Sequence, residues 1–185
     1  SVFADEGAAN HVRLCAERDA QGVELFVYGR DGYAPQRAGF PARQTLQSVQ
    51  AIARSHGLKA QHTVLARQSD AAIDAGAFHN DVVGVANGAV LFLHEQSFAD
   101  PKTAYAAIRE AAPFVEIVEA PASDVSLEDC IKSYLFNSQL LTLPANDGPG
   151  GEMALLLPQE AEENPRVKAY LEDLVQRNTP IKKVH

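Results

Sequence analysis

The spacing of apolar positions changes repeatedly along the chain, and each change marks an element. Val23-Glu24-Leu25-Phe26-Val27-Tyr28 is a β-rich run closed by Gly29, which predicts a strand. Leu46, Val49, Ile52 and Ala53 recur at helical spacing and predict a helix from about Ala42 to His56, stopped by Gly57. His62 to Ala66 reads as a strand, and Asp70 opens a short helical turn over 70–75 that ends at Gly76. Two apolar segments then meet at Asn87-Gly88, so residues 82–94 predict a hairpin with a type I′ turn at that dipeptide. Asp100-Pro101 is an N-cap with proline at the first helical position, and Pro113 stops that helix. Phe114-Val115-Glu116-Ile117-Val118 follows as a strand, and Ser126 with Asp129 three residues on opens a short helix. Further on, the pattern predicts a strand around Leu140, a turn at Asp147-Gly148-Pro149-Gly150 and a buried strand from Met153 to Leu157. Asn164-Pro165 starts a helix that reaches about Arg177, and Ile181 starts another strand. Residues 1–22 and 30–41 read as loop.

This element order repeats. Helices start near 42, 100 and 164, each preceded and followed by strand patterns, at intervals of 58 and 64 residues. The unit is ββαβ, with the first copy lacking its first strand. Units of this kind bury their apolar faces against one another about an axis, and an incomplete set leaves open edges. The chain begins at Ser1 and ends as a strand starts, so it reads as a piece of a longer protein.

Composition narrows the class without naming it. The 185 residues are 46% hydrophobic and 22% charged, which suits one globular domain or a large part of one. The net charge of −8, with no basic cluster beyond Lys182-Lys183, argues against nucleic acid as a partner. No apolar run approaches the roughly 20 residues that span a bilayer, so no membrane association is expected. Cys15 and Cys130 are far apart and in no metal-ligand spacing, which fits a reducing, cytoplasmic setting.

Four places combine polar groups of useful types: Asp5-Glu6-Gly7-Ala8-Ala9-Asn10-His11, Phe40-Pro41-Ala42-Arg43-Gln44, Phe78-His79-Asn80-Asp81 and Tyr134-Leu135-Phe136-Asn137-Ser138-Gln139. Glu6 lies between small residues, so its carboxylate is either a solvated loop group or one that closely approaches a ligand. His11 is a hydrogen-bonding loop residue or a metal ligand. Arg43 sits at the start of a helix, the wrong end for the helix dipole, so an anionic partner or a surface salt bridge accounts for it. His79 stands at the mouth of a strand, and Asp81 two residues on lies on the same side of an extended chain. Together they could orient an imidazole or hold a cation. Leu127, Cys130, Ile131 and Tyr134 follow helical spacing, so Cys130 is read as a core residue, and Cys15 in its polar loop as non-catalytic.

The motifs around Glu6, Phe26, Arg43, His79, Asn87 and Asn137, in that order and over nearly all of the chain, closely resemble the N-succinylarginine dihydrolase family. That family belongs to the guanidine-modifying superfamily. The resemblance implies an α+β pentein fold, an α/β propeller of five ββαβ modules. About three of them would be present, over roughly 1–66, 77–118 and 126–185 of a single partial domain. It implies hydrolysis of the guanidinium of N-succinylarginine, a small-molecule substrate, by a thiol mechanism without metal or cofactor. Glu6 and His79 carry over as catalytic residues, and Arg43 and Asp81 as substrate contacts. The family's nucleophile lies in a Gly-rich segment near its C-terminus. Neither Cys15 nor Cys130 matches it, so residues 1–185 alone are expected to be inactive. A homodimer is implied for the full-length enzyme. Two alternatives stand beside this: a metal-dependent amidine or amide hydrolase using Glu6, His79 and Asp81 with His11, and a non-catalytic binding fragment.

Overall fold

The computed structural model describes residues 2–3, 10–35, 39–40, 42, 44–144 and 151–185. Glu6, Arg43 and the expected turn at 147–150 lie outside the described residues. Three small sheets share one topology. The first joins β1 (His11–Leu14), β2 (Val23–Tyr28) and β3 (Thr63–Arg67). The second joins β4 (Gly84–Asn87), β5 (Val90–His94) and β6 (Glu116–Ala120), and the third β7 (Gln139–Thr142), β8 (Met153–Leu156) and β9 (Ile181–Val184). In each, the first two strands pair antiparallel and the last two parallel. A parallel pair needs a crossover, and helices supply it: α1 (Leu46–Ser55), α3 (Pro101–Ala111), and α5 (Gln159–Glu163) with α6 (Pro165–Leu174). The sheets are linked by α2 (Asp70–Asp74) and α4 (Leu127–Ser133).

First strands of successive sheets lie side by side, β1 by β4 and β4 by β7. Cys15 N donates to Gly88 O at 2.9 Å, and Asn87 Nδ2 donates to Leu140 O at 2.9 Å. β5 is buried along its whole length, so it reads as a continuous apolar run. Its residues alternate between two cores. Leu91 and Leu93 pack with Leu25, Val27, Val64 and Ile108, whereas Val90 and Phe92 pack with Phe136, Leu155 and Tyr170.

The caps form where the sequence places them. Asp100 accepts from Thr103 N, Asn164 accepts from Val167 N, and Ser126 with Asp129 forms a reciprocal capping box. Other expectations need correction. Residues 1–22 are not all loop, since His11–Leu14 pairs with β2, and Cys15 beyond it is buried. α1 starts at Leu46 rather than near Ala42. Residues 44–46 run instead alongside the residues just after β2, through Gly29 N to Gln44 O at 2.8 Å and Leu46 N to Arg30 O at 2.9 Å. The hairpin turn is shifted by one residue: Asn87 pairs with Val90, leaving Gly88-Ala89 as the turn. Gly88 alone has positive φ there, whereas a type I′ turn needs it at both central residues. Asn87 is held in the strand because its side chain bonds Leu140 O and Thr142 Oγ1.

His94 closes β5 and is fully buried. Its Nδ1 accepts from Gln96 N at 3.1 Å, so Nε2 carries the proton given to Val125 O at 2.9 Å. Burial holds its pKa below the ordinary histidine value. Below about pH 6.5 the unfolded chain takes up a proton that folded His94 refuses, so stability declines as pH falls from there toward the folded pKa. Urea denaturation between pH 8 and 5 tests this. His94→Asn is expected to be less stable at pH 8 and to show a shallower decline; an equal decline in both proteins would count against it.

Candidate active site

The segment after α2 carries the described site residues. Ser69 caps α2 by accepting from Ala72 N, and Gly76, at φ 110, turns the chain out of the helix. His79 is extended, at φ −118 and ψ 148, and Asn80–Val82 forms a single 3₁₀ turn before β4. His79 and Asp81 therefore do not share one side of an extended strand as the sequence pattern suggested. The turn sits on an apolar seat: Ala72, Ala77 and Val83 are buried, and Val82, Leu127 and Ile131 pack against them. Leu127 and Ile131 come from α4, so that helix helps to seat the turn.

Asp81 Oδ1 is buried with no hydrogen-bond partner among the described residues. Burial pushes the Asp81 carboxyl above its ordinary pKa, while the nearby His79 pulls it back down. A buried acceptor left open costs free energy unless something fills it. A cation with N–H donors is the group that this oxygen and its charge would receive. The rings of His79 and Phe78 meet edge to face with centroids 5.0 Å apart, and Phe78 stacks on half-exposed Phe40 at 6.0 Å.

Four backbone groups of this segment are tied down by buried partners. Gln68 Nε2 donates to Ala77 O at 2.5 Å and to His79 O at 3.4 Å. Asn80 N donates to Asn10 Oδ1 at 2.7 Å. Val83 O accepts from His94 N at 2.9 Å and from Ser97 Oγ at 2.8 Å. Gln68 and Ser97 were not foreseen. A signal for Gln68 exists, because Val64, Ala66 and Gln68 alternate on the buried face of β3 and its extension.

The other candidates separate from this site. His11 lies in β1, stacks on Phe26 at 4.6 Å and pairs with Glu24 at 2.6 Å, which occupies it as a cross-strand partner. Among the described residues no three His, Cys, Asp or Glu side chains gather as a metal site. Cys130 is fully buried in α4, and burial pushes its thiol up to about 12. In the 134–139 segment, Tyr134 caps α4 in the left-handed region at φ 54, and Ser138 Oγ is buried with no partner among the described residues.

The family model for succinylarginine dihydrolase matches residues 1–185. The chain belongs to the succinylarginine dihydrolase family. It is 55% identical over 184 residues to N-succinylarginine dihydrolase of Novosphingobium aromaticivorans, covering 100% of this chain and 41% of that protein. It is 56% identical over 182 residues to that of Sphingopyxis alaskensis, covering 98% and 41%. It is 49% identical over 190 residues to that of Shewanella woodyi, covering 100% and 42%. The chain thus spans about two fifths of the length of these curated relatives. Among solved structures it is similar to the product-bound N-terminal domain of ArgZ, an arginine dihydrolase of cyanobacteria. There the TM-score is 0.53 at 17% identity, covering 99% of this chain and 49% of that one. At that identity the likeness concerns the mixed α/β fold with its small sheets. Among the described residues of this succinylarginine dihydrolase family member, no helix is long and apolar enough to cross a membrane.

Proposed function

We propose that the full-length protein containing this chain hydrolyses N-succinylarginine to N-succinylornithine, two ammonia and carbon dioxide, consuming two waters. The supporting observation is the buried Oδ1 of Asp81 beside His79, without a hydrogen-bond partner among the described residues and an acceptor suited to guanidinium N–H groups. The guanidinium carbon is a weak electrophile, so attack needs a strong nucleophile and carboxylates that hold the charge. The nucleophile in this reading is a thiolate from outside residues 1–185, since Cys15 and Cys130 are both buried. The thiolate adds to the guanidinium carbon to give a tetrahedral adduct. His79 passes a proton to the departing nitrogen, and ammonia leaves. His79 then takes a proton from water as it attacks the thiouronium carbon, and this second adduct collapses by breaking the C–S bond, which frees the thiolate and leaves a ureido group. A second cycle on the resulting ureido group releases the second ammonia and carbon dioxide.

Glu6 acts with His79 by holding the cationic group, Asp81 grips guanidinium nitrogens, and Arg43 receives a substrate carboxylate. The fold reading is a pentein: the three sheets are modules of a five-module propeller, in one partial domain over 1–185 with units at about 1–66, 77–118 and 126–185. The adjacency of β1, β4 and β7 supports it, because first strands would line the axis. The full-length enzyme would act in the cytoplasm as a homodimer, on arginine-derived substrate.

Ammonia release from succinylarginine by the purified full-length protein tests this; two ammonia per substrate are expected, and none would overturn it. Residues 1–185 alone are expected to give no turnover. Asp81→Asn in the full-length protein is expected to raise KM on the order of 10- to 100-fold, the worth of a charged hydrogen bond. It is also expected to raise stability at pH 7. The folded pKa of Asp81 lies above its unfolded value, so the cost of ionised Asp81 is absent below about pH 3.9 and complete above the folded pKa. The stability gain therefore closes as pH falls toward 4, which denaturation at pH 7 and pH 4 would measure.

A further inference from the structure

The peptide unit between His79 and Asn80 is held at both of its polar ends. Gln68 Nε2 donates to its carbonyl, the O of His79, at 3.4 Å, and also to Ala77 O at 2.5 Å. The N–H of the same peptide, on Asn80, donates to Asn10 Oδ1 at 2.7 Å. Both clamping side chains are buried, Gln68 at 1% and Asn10 at 2% exposure. Gln68 arrives from the end of β3, and Asn10 from the start of β1, four positions after Glu6. The two ties set the plane of one peptide, and with it ψ of His79 and φ of Asn80. Those angles decide where the imidazole stands relative to the Asp81 carboxylate.

We propose that Gln68 and Asn10 are positioning residues that clamp the His79–Asn80 peptide, fixing His79 and Asp81 in reacting geometry. This rests on His79 and Asp81 serving the reaction proposed above. Neither side chain touches substrate in this scheme. The backbone of Gln68 extends the sheet on its own, its N donating to Tyr28 O at 2.8 Å, so replacing the side chain leaves that bond intact. Gln68→Met keeps length and packing and donates nothing. Asn10→Ala removes the acceptor.

The test uses the full-length protein, with kcat, KM, thermal midpoint and hydrogen exchange over 77–83 measured for both single variants and the double. A misplacement of this size is expected to lower kcat about tenfold or more in each single variant, with KM raised by less than in Asp81→Asn. Exchange should quicken over 77–83 and stay unchanged elsewhere. Because both ties act on one peptide, the double variant should lose far less than the product of the single losses. Wild-type kcat in Gln68→Met, or multiplicative losses in the double variant, overturns the clamp. Global loss of protection in Gln68→Met also overturns it, since the side chain then holds the fold rather than the site. If the wild-type protein releases no ammonia from succinylarginine, the functional reading fails by itself. Exchange then decides the clamp: quickening confined to 77–83 upholds it, and unchanged exchange overturns it.

Discussion

His79→Ala in the full-length protein lowers kcat for succinylarginine by about 10²- to 10⁴-fold, the range for removing a general acid–base group. KM changes little, because in the proposed chemistry Asp81, Glu6 and Arg43 hold the substrate. The fold should survive the change. The backbone bonds at the His79–Asn80 peptide belong to the carbonyl of His79 and the N–H of Asn80, and alanine keeps both. The imidazole itself is half-buried against the Phe78 ring, so little core is lost. The variant should therefore melt with the wild type while failing to release ammonia. Because His79 moves protons in both half-reactions, loss should appear in the first ammonia as well as the second. Retention of more than a tenth of the wild-type kcat would remove His79 from the chemistry.

Phe92→Ala should cost about 3–5 kcal/mol in denaturant unfolding. Phe92 is fully buried, with Phe136 at 4.8 Å and Tyr170 at 6.4 Å between ring centroids. Its ring therefore joins the second sheet to α6 and to the segment after α4. The cost depends on whether neighbours close the hole, and here they are themselves held: Phe136 and Leu155 are buried in the same cluster. A loss below about 1.5 kcal/mol would mean that this core relaxes freely. Activity should suffer less than stability, because Phe92 packs in a different core from the one that seats the 80–82 turn.

How legible the structure was in the sequence depends on how far apart the deciding partners lie. Ser126 and Asp129, Asp100 and Thr103, and Asn164 and Val167 are each three residues apart, and local pattern finds them. The ββαβ recurrence was legible for the same reason, since periodicity is a property of short windows. The start of α1 was not, because residues 44–46 answer to the residues just after β2 and not to their own helix. The hairpin register failed where Asn87, a good turn residue, is claimed by β7 more than fifty positions on. β1 escaped notice as a four-residue strand with two polar members whose stability comes from β2. At the site, the residue types in Phe78-His79-Asn80-Asp81 pointed to chemistry. The 3₁₀ turn that arranges them depends on Asn10 and Gln68, seventy and about ten residues away, and no local pattern encodes that.

β5 also bears on how the protein comes to be made. During synthesis the chain emerges in order, and units fold as their sequence becomes available. When β5 first appears, β2, β3 and then α3 can cover Leu91 and Leu93. Among the described residues, the cover that Phe136, β8 and α6 give Val90 and Phe92 comes only later. For that interval the second sheet presents an aromatic and a β-branched side chain to water. A chaperone, or an early encounter with the wrong neighbour, would find the molecule most accessible there.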